Sequence, residues 1–205
     1  MIEAIEALLP QLQCGKCGYD DCKAYAKALA DNEALPNRCS PGKEEVGKAL
    51  AAFLKQPFAT LAEDVPPHQV AVAIIDENRC IGCTLCLRAC PTDAIIGAKQ
   101  RLHVTVETWC SSCERCLAPC PTDAIVMQPR SLPMPDKMAL KSRYAQHQTR
   151  RHQEAQQKER WHVAKLSEAL LHAPANPRVL ERKAIIEKAL QKAKARLAKT
   201  NPLAE

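Results

Sequence analysis

Apolar residues recur at helical spacing in three stretches near the start of the chain. The spacing predicts a short amphipathic helix over residues 2–12 and two further helices over residues 23–35 and 43–55. Pro36 and Asn37 are expected to end the second of these helices. The apolar face of the first helix consists of Ile2, Ile5, Leu8, Leu9 and Leu12. The pattern predicts a small helical domain over residues 1–56, with cysteine-rich turns between its helices.

The pattern changes to short β-type segments after a proline-rich linker at residues 57–69. Strands are predicted at residues 70–75 and 102–106, and each is followed later by an apolar pair, Ile95-Ile96 or Ile125-Val126. A second proline-rich linker covers residues 129–136. Residues 137–205 are rich in Ala, Gln, Lys, Arg and Glu, and they predict a helical tail interrupted at Asn176-Pro177.

An internal repeat occupies the β-type region. Residues 80–95 read CIGCTLCLRACPTDAI and residues 110–125 read CSSCERCLAPCPTDAI, with a constant offset of 30 residues. Gly82 in the first copy is replaced by Ser112 in the second. The Thr-Asp pairs that begin at Thr92 and Thr122 are expected to cap short helices. The repeat predicts two pseudo-symmetric units with alternating short helices and strands.

The repeat contains eight of the twelve cysteines, each copy spaced C-x2-C-x2-C-x3-C-P. This spacing resembles bacterial two-cluster ferredoxins, in which the fourth cysteine of each run ligates the other cluster. The resemblance implies one [4Fe–4S] cluster on Cys80, Cys83, Cys86 and Cys120, and another on Cys110, Cys113, Cys116 and Cys90. Zinc and disulfides are the alternatives, although structural zinc more often takes two separated ligand pairs.

The other four cysteines have the spacing C-x2-C-x4-C-x16-C. The sequence CGKCGYDDCKAYAKALA, followed by NRCSPG, resembles the four-cysteine domain found in the B subunits of Rnf-type (also called Rsx) electron-transport complexes. The resemblance implies a third [4Fe–4S] cluster on Cys14, Cys17, Cys22 and Cys39, with a zinc site as the alternative. It covers residues 1 to about 128, because the order of the modules also matches.

The combined expectation is an α+β protein. A small helical four-cysteine iron–sulfur domain (1–56) precedes a two-cluster bacterial-ferredoxin domain (70–128) and an α-helical basic tail (137–205). By the resemblance, the chain relays single electrons within a membrane complex, has no catalytic residues of its own, and works with other subunits or soluble redox partners. The family usually begins with a membrane-spanning helix, which is not seen here, and the basic tail is an addition.

Composition and charge refine this expectation. Leu, Ile, Val and Phe number only 42 of 205 residues, so the cysteine sites are expected to supply part of the fold's stability. Residues 1–136 carry 13 basic and 17 acidic side chains, whereas residues 137–205 carry 16 basic and 6 acidic ones. The basic tail could be a solvated helix, a docking segment for acidic partners or an anionic membrane surface, or a nucleic-acid-binding segment.

No signal peptide or membrane-spanning stretch is evident, so we expect a cytoplasmic protein that can contact the cytoplasmic face of the inner membrane. Two other functions compete with a role in a membrane complex. One is a free soluble electron carrier of the polyferredoxin type, and the other is a regulatory iron–sulfur protein that binds nucleic acid. The sequence contains no P-loop, no GxGxxG fingerprint and no nucleophile–base pair that would predict an enzyme acting on a bound substrate.

Overall fold

The computed structural model describes residues 1–58, 60–171 and 177–199. The chain forms two compact units, Met1–Ala145 and Gln146–Glu205. The first unit mixes helices with two small sheets and fits the α+β expectation. None of the helices in the described residues is both long and apolar enough to cross a membrane.

Three helices form the four-cysteine region: α1 (Ile2–Leu8), α2 (Cys22–Ala30) and α3 (Lys43–Leu54). The expectation that the first helix reaches residue 12 is wrong. Leu9 is extended, with φ −77° and ψ 152°, because the residue before a proline (here Pro10) is pushed out of the α region.

Helix α2 also ends before the predicted position. Asn32 adopts a left-handed conformation (φ 58°), and the Glu33 amide donates to the Ala28 carbonyl at 2.8 Å. This is the Schellman geometry that ends many helices. The predicted continuation to residue 35 is therefore wrong, and residues 31–42 are free to form the loop that carries Cys39.

The ferredoxin-like region contains two antiparallel two-stranded sheets. Strand β1 (Val72–Ile75) pairs with β4 (Ile125–Gln128), and β2 (Ile95–Ile96) pairs with β3 (Val104–Thr105). The short helix α4 (Leu85–Ala89) lies within the first repeat. A 3-10 turn (Glu107–Trp109) immediately precedes the second repeat. Both predicted strands are present in shortened form, but each pairs with the apolar pair of the other repeat unit.

The Thr-Asp pairs after Cys90 and Cys120 do not cap helices. Asp93 and Asp123 have φ values of 51° and 48°, so each pair turns the chain back toward its cysteine. The backbone amide of Ala94 then donates to the Cys90 sulfur at 3.2 Å, and Ala124 does the same for Cys120 at 3.3 Å. The predicted helix caps are therefore wrong, because each Thr-Asp pair forms a turn and the amide that follows the pair donates to the cysteine sulfur.

Two long helices follow, α5 (Lys137–Leu171) and α6 (Pro177–Lys199). The first compact unit extends to Ala145, so the first nine residues of the predicted tail pack within that unit. Helix α6 begins at Pro177, which suits the first position of a helix. Asn176, the other half of the predicted interruption, lies outside the described residues.

Candidate metal centres

The first group of thiols is held by the three helices of the four-cysteine region. These four residues line one small cavity of about 20 Å³, beside apolar side chains that include Leu9 and Tyr25. Burial raises the pKa of all four thiols, that of Cys39 to about 12. The pKa of Cys22 is raised further by the other three sulfurs. The group comprises Cys14, Cys17, Cys22 and Cys39, as the sequence predicted.

Two buried glutamines support this group, and the sequence pattern pointed to neither. Gln13 is 1% exposed, and its side-chain oxygen accepts from the backbone amide of Cys22 at 2.9 Å. Its amide nitrogen donates to Gln11, which in turn donates to the Glu6 carbonyl at 2.6 Å. The chain of hydrogen bonds ties α1 to the start of α2. Glutamine is usually exposed, so the sequence Pro-Gln-Leu-Gln-Cys at residues 10–14 does not predict that Gln11 and Gln13 are buried.

Tyr25 positions the distant fourth cysteine. Its ring is 1% exposed, and its hydroxyl donates to the Leu35 carbonyl at 2.7 Å while accepting from the Arg38 amide at 3.2 Å. Both partners lie in the loop that leads to Cys39. The sequence pattern gives no signal for this role, because both hydrogen-bond partners lie 10 or more residues away in the chain.

The second group joins one cysteine of the first repeat to three of the second. Burial raises the pKa of Cys113 to about 12, and nearby Cys90 and Cys110 raise it further. Burial raises the pKa of Cys116 too, with the same two neighbours and Cys113 contributing. These four residues line one small cavity of about 10 Å³, which residues of both sheets also line. The structure thus brings together Cys90, Cys110, Cys113 and Cys116.

The third group contains the remaining cysteines of the first repeat. Burial raises the pKa of Cys86 to about 11, with further raising by Cys83 and Cys80. The turn that carries Cys120 lies against this segment, because the Thr122 hydroxyl donates to the carbonyl of Arg79 at 2.9 Å. Burial raises the pKa of Cys120, but hydrogen bonds from the Thr122 and Ala124 amides outweigh burial, and the net shift is downward.

The environments of the three groups suit iron–sulfur clusters. Buried thiols with raised pKa values stay protonated unless a bound metal holds them as thiolates. Backbone amides point at the sulfurs, including those of Lys16 toward Cys14 and Gly42 toward Cys39. Such amides tune and stabilise a bound cluster. Among the described residues, no three His, Cys, Asp or Glu side chains are arranged around a single metal ion.

His103 contacts a candidate ligand directly. The side chain is 2% exposed, and Nδ1 lies 3.2 Å from the Cys86 sulfur. Within the described part of the chain, Nε2 has no hydrogen-bond partner. An iron-bound thiolate can only accept, so this contact requires the proton on Nδ1. The sequence pattern assigned no role to this histidine, because the alternation of Leu102, His103 and Val104 predicts that the two apolar residues face inward, whereas in the structure they are exposed and His103 is buried.

The loops of the first and second groups touch each other. Ser111 donates to the Leu12 carbonyl at 3.1 Å, and Lys16 forms an ion pair with Glu114 at 2.9 Å. Arg115 also donates to the carbonyl of Asp20. These contacts join the segment 12–20 to the segment 111–115, so the loop of the first group adjoins that of the second.

Two family models match the chain, one over the repeat and one over the first cysteine group. A family model described as "4Fe-4S dicluster domain" matches residues 73–127. Another, described as "Putative Fe-S cluster", matches residues 9–41. The two matched ranges contain the repeat and the first cysteine group, respectively. No solved structure matches the chain.

Curated relatives are named as the B subunit of an ion-translocating oxidoreductase complex. The protein from Azoarcus sp. (strain BH72) is 53% identical over 108 residues, which cover 52% of this chain and 59% of that protein. The Escherichia coli (strain K12) protein is 46% identical over 109 residues, which cover 52% of this chain and 56% of that protein.

Over this stretch the chain is a homologue of these B subunits. The predicted resemblance to the Rnf/Rsx family is thereby confirmed, as is the assignment of iron–sulfur chemistry with [4Fe–4S] clusters. The matched part amounts to little more than half the length of the relatives.

Proposed function

We propose that this protein holds three [4Fe–4S] clusters and relays electrons as the B subunit of an ion-translocating complex. The ligand sets are Cys14, Cys17, Cys22 and Cys39; Cys80, Cys83, Cys86 and Cys120; and Cys110, Cys113, Cys116 and Cys90. The observation that carries the proposal is the position of Cys90, whose sulfur shares a cavity with three cysteines of the other repeat. This exchange is the hallmark of two-cluster ferredoxins.

The contacts between the cysteine loops support an order for the relay. A bound [4Fe–4S] cluster supplies one-electron chemistry, and the protein supplies spacing, burial and hydrogen bonds. The loop of the first group contacts the loop that carries Ser111, so electrons would pass between the first group and the third through the second. Donor and acceptor proteins would then dock at opposite ends of the unit.

The partners proposed by homology are the other subunits of such a complex. The basic residues after position 136 would favour contact with acidic subunits or with the anionic cytoplasmic face of the membrane. The test is fractionation of cells at low and high salt. Copurification with membrane subunits is expected, whereas recovery without any membrane partner at low salt would favour the free electron carrier.

Metal analysis tests the number of clusters. Anaerobically purified protein should contain about 12 iron atoms and as many sulfides per chain, with EPR signals after reduction. About 8 iron atoms would leave the first cysteine group to another metal. Replacement of Cys22 by Ser should remove the first cluster alone, whereas Cys90→Ser should perturb the cluster that is otherwise held by the second repeat.

A further inference from the structure

The first turns of helix α5 belong to the iron–sulfur unit. Leu140 is 1% exposed within that unit. The carboxylate of Asp136 caps the helix, since Oδ2 accepts from the amides of Met138 at 2.7 Å and Ala139 at 3.3 Å. The start of this basic helix is therefore fixed in position by burial and by capping.

Three side chains attach this helix start to the four-cysteine region. Lys141 pairs with Glu6 at 3.1 Å, and Lys137 donates to the Ala7 carbonyl at 3.0 Å. The hydroxyl of Tyr144 donates to Asp21 at 2.8 Å. Asp21 is itself the cap of α2, which begins with a candidate ligand, Cys22. We refer to residues 136–144 as the clamp.

The clamp also reaches the second cysteine group through Arg143. Nε of Arg143 donates to the Thr92 carbonyl at 2.8 Å, and the guanidinium carbon lies 3.7 Å from the centre of the Trp109 ring. Thr92 is fully buried and follows Cys90 by two residues. Trp109 immediately precedes Cys110. The guanidinium thus lies against the segments that supply two of the four sulfurs.

The electrostatic surroundings of Arg143 agree with this geometry. Partial burial lowers its pKa, while the negative charges of Asp93 and of the Cys90 thiolate act in the opposite direction. A guanidinium remains charged at any physiological pH. A permanent positive charge therefore lies within electrostatic reach of a candidate cluster ligand, in surroundings where partial burial reduces screening.

We propose that the positive charge of Arg143 raises the reduction potential of the site formed by Cys90, Cys110, Cys113 and Cys116. The inference rests on the proposed function, since it requires a cluster at that site. Reduction adds one electron, and hence one negative charge, to the site. A nearby cation stabilises the reduced form more than the oxidised form, because the attraction grows with the negative charge. The clamp holds the cation in place.

The test is a redox titration of the full-length protein, with dithionite as reductant and EPR as readout. The signal of the second group is first assigned from a Cys113→Ser variant. In Arg143→Gln, its midpoint potential should shift to a lower value, while the other two clusters keep theirs.

Two further variants separate charge from structure. Arg143→Lys keeps the charge and should retain most of the wild-type potential, although it loses the planar stacking on Trp109. Arg151→Gln removes a charge from the same helix at a residue that pairs with Glu154, and it should leave all three potentials unchanged.

The outcomes distinguish the inference from the proposed function. An unchanged potential in Arg143→Gln that retains all of its iron would overturn the role of Arg143, as would an equal fall in Arg143→Lys. Wild-type protein with no EPR signal assignable to the second group would instead refute the proposed function.

Discussion

Gly82 and Ser112 occupy matching positions in the two repeats, and both have positive φ values, 68° and 60°. A Cβ on Gly82 would lie 2.6 Å from the amide nitrogen of Arg101. Ser112 has room for its side chain, and its hydroxyl accepts from the Ala71 amide at 2.8 Å and donates to the Gln69 carbonyl at 3.2 Å. The surroundings therefore accommodate a side chain at position 112 but not at position 82.

Replacing Gly82 by Ser should destabilise the protein by roughly 2–5 kcal/mol, from the backbone clash together with the cost of a left-handed conformation. The matched change, Ser112→Gly, should cost only about 1 kcal/mol, because glycine adopts the left-handed conformation readily and this offsets part of the loss of two hydrogen bonds. Thermal unfolding of the two cluster-loaded variants under anaerobic conditions measures the difference. Equal losses would contradict this account of the asymmetry.

The contact of His103 with Cys86 leads to a prediction about the third group. A hydrogen bond to sulfur stabilises the more negative, reduced state of a bound cluster. His103→Phe should therefore lower the potential of the cluster proposed for Cys80, Cys83, Cys86 and Cys120. A redox titration measures this shift. The control is His68→Phe, because Nε2 of His68 contacts the Ser112 carbonyl at 2.7 Å and no cysteine; a similar shift in both variants would argue against the contact.

At the level of elements, the loop over residues 31–42 depends on α2. Tyr25→Phe removes the hydroxyl that bridges Leu35 and Arg38, and it should cost about 1–3 kcal/mol because two partly buried backbone groups lose their partner. The loss should weaken retention of the first cluster, since Cys39 lies at the end of this loop. Iron release on mild heating should be faster for this cluster than for the other two. Tyr19→Phe is the control, because Tyr19 packs on Tyr25 with ring centres 5.4 Å apart; equally fast release there would refute the loop's dependence on the hydroxyl.

The elements also show where sequence reasoning succeeds. Helix α3 ends within one residue of its predicted end, because the apolar periodicity is uninterrupted up to Lys55. Helix α2 ends early at a left-handed Asn32, and an asparagine inside a periodic stretch is ambiguous. The cysteine spacing predicts that Cys90 belongs with the other repeat, and in the structure it lines the same pocket as Cys110, Cys113 and Cys116. The buried Gln13 and the docking of Arg143 could not be predicted, because both depend on partners distant in the sequence.

At the level of the whole molecule, the shortage of large apolar residues is partly made up by cysteine. In the ferredoxin-like region, four of the nine buried residues of the described core are Cys86, Cys90, Cys110 and Cys116. In the four-cysteine region, Cys39 belongs to a core formed mainly by Leu, Ile, Ala and Tyr. A core in which ligands replace aliphatic side chains is expected to depend strongly on what those ligands bind.

Removal of iron should therefore unfold most of residues 1–145. Metal-binding free energy becomes folding free energy when the site does not exist in the unfolded chain, and the emptied cavities would leave buried polar thiols without compensation. The clamp should be lost as well, because its partners Glu6, Asp21 and Thr92 lie in the part of the chain that unfolds. Hydrogen exchange measured before and after anaerobic chelation should show loss of protection from α1 through residue 145.

The second unit provides the internal control for this experiment. Residues 146–199 contain none of the cysteines, so chelation should change their exchange much less than that of the first unit. Uniform loss of protection in both units would indicate that the basic helices depend on the clusters as well. A cooperative thermal transition of the iron-free protein near that of the loaded protein would instead show that the apolar core suffices. The four core cysteines make that result unexpected, because without metal nothing links these four of the nine buried residues in the core of the ferredoxin-like region.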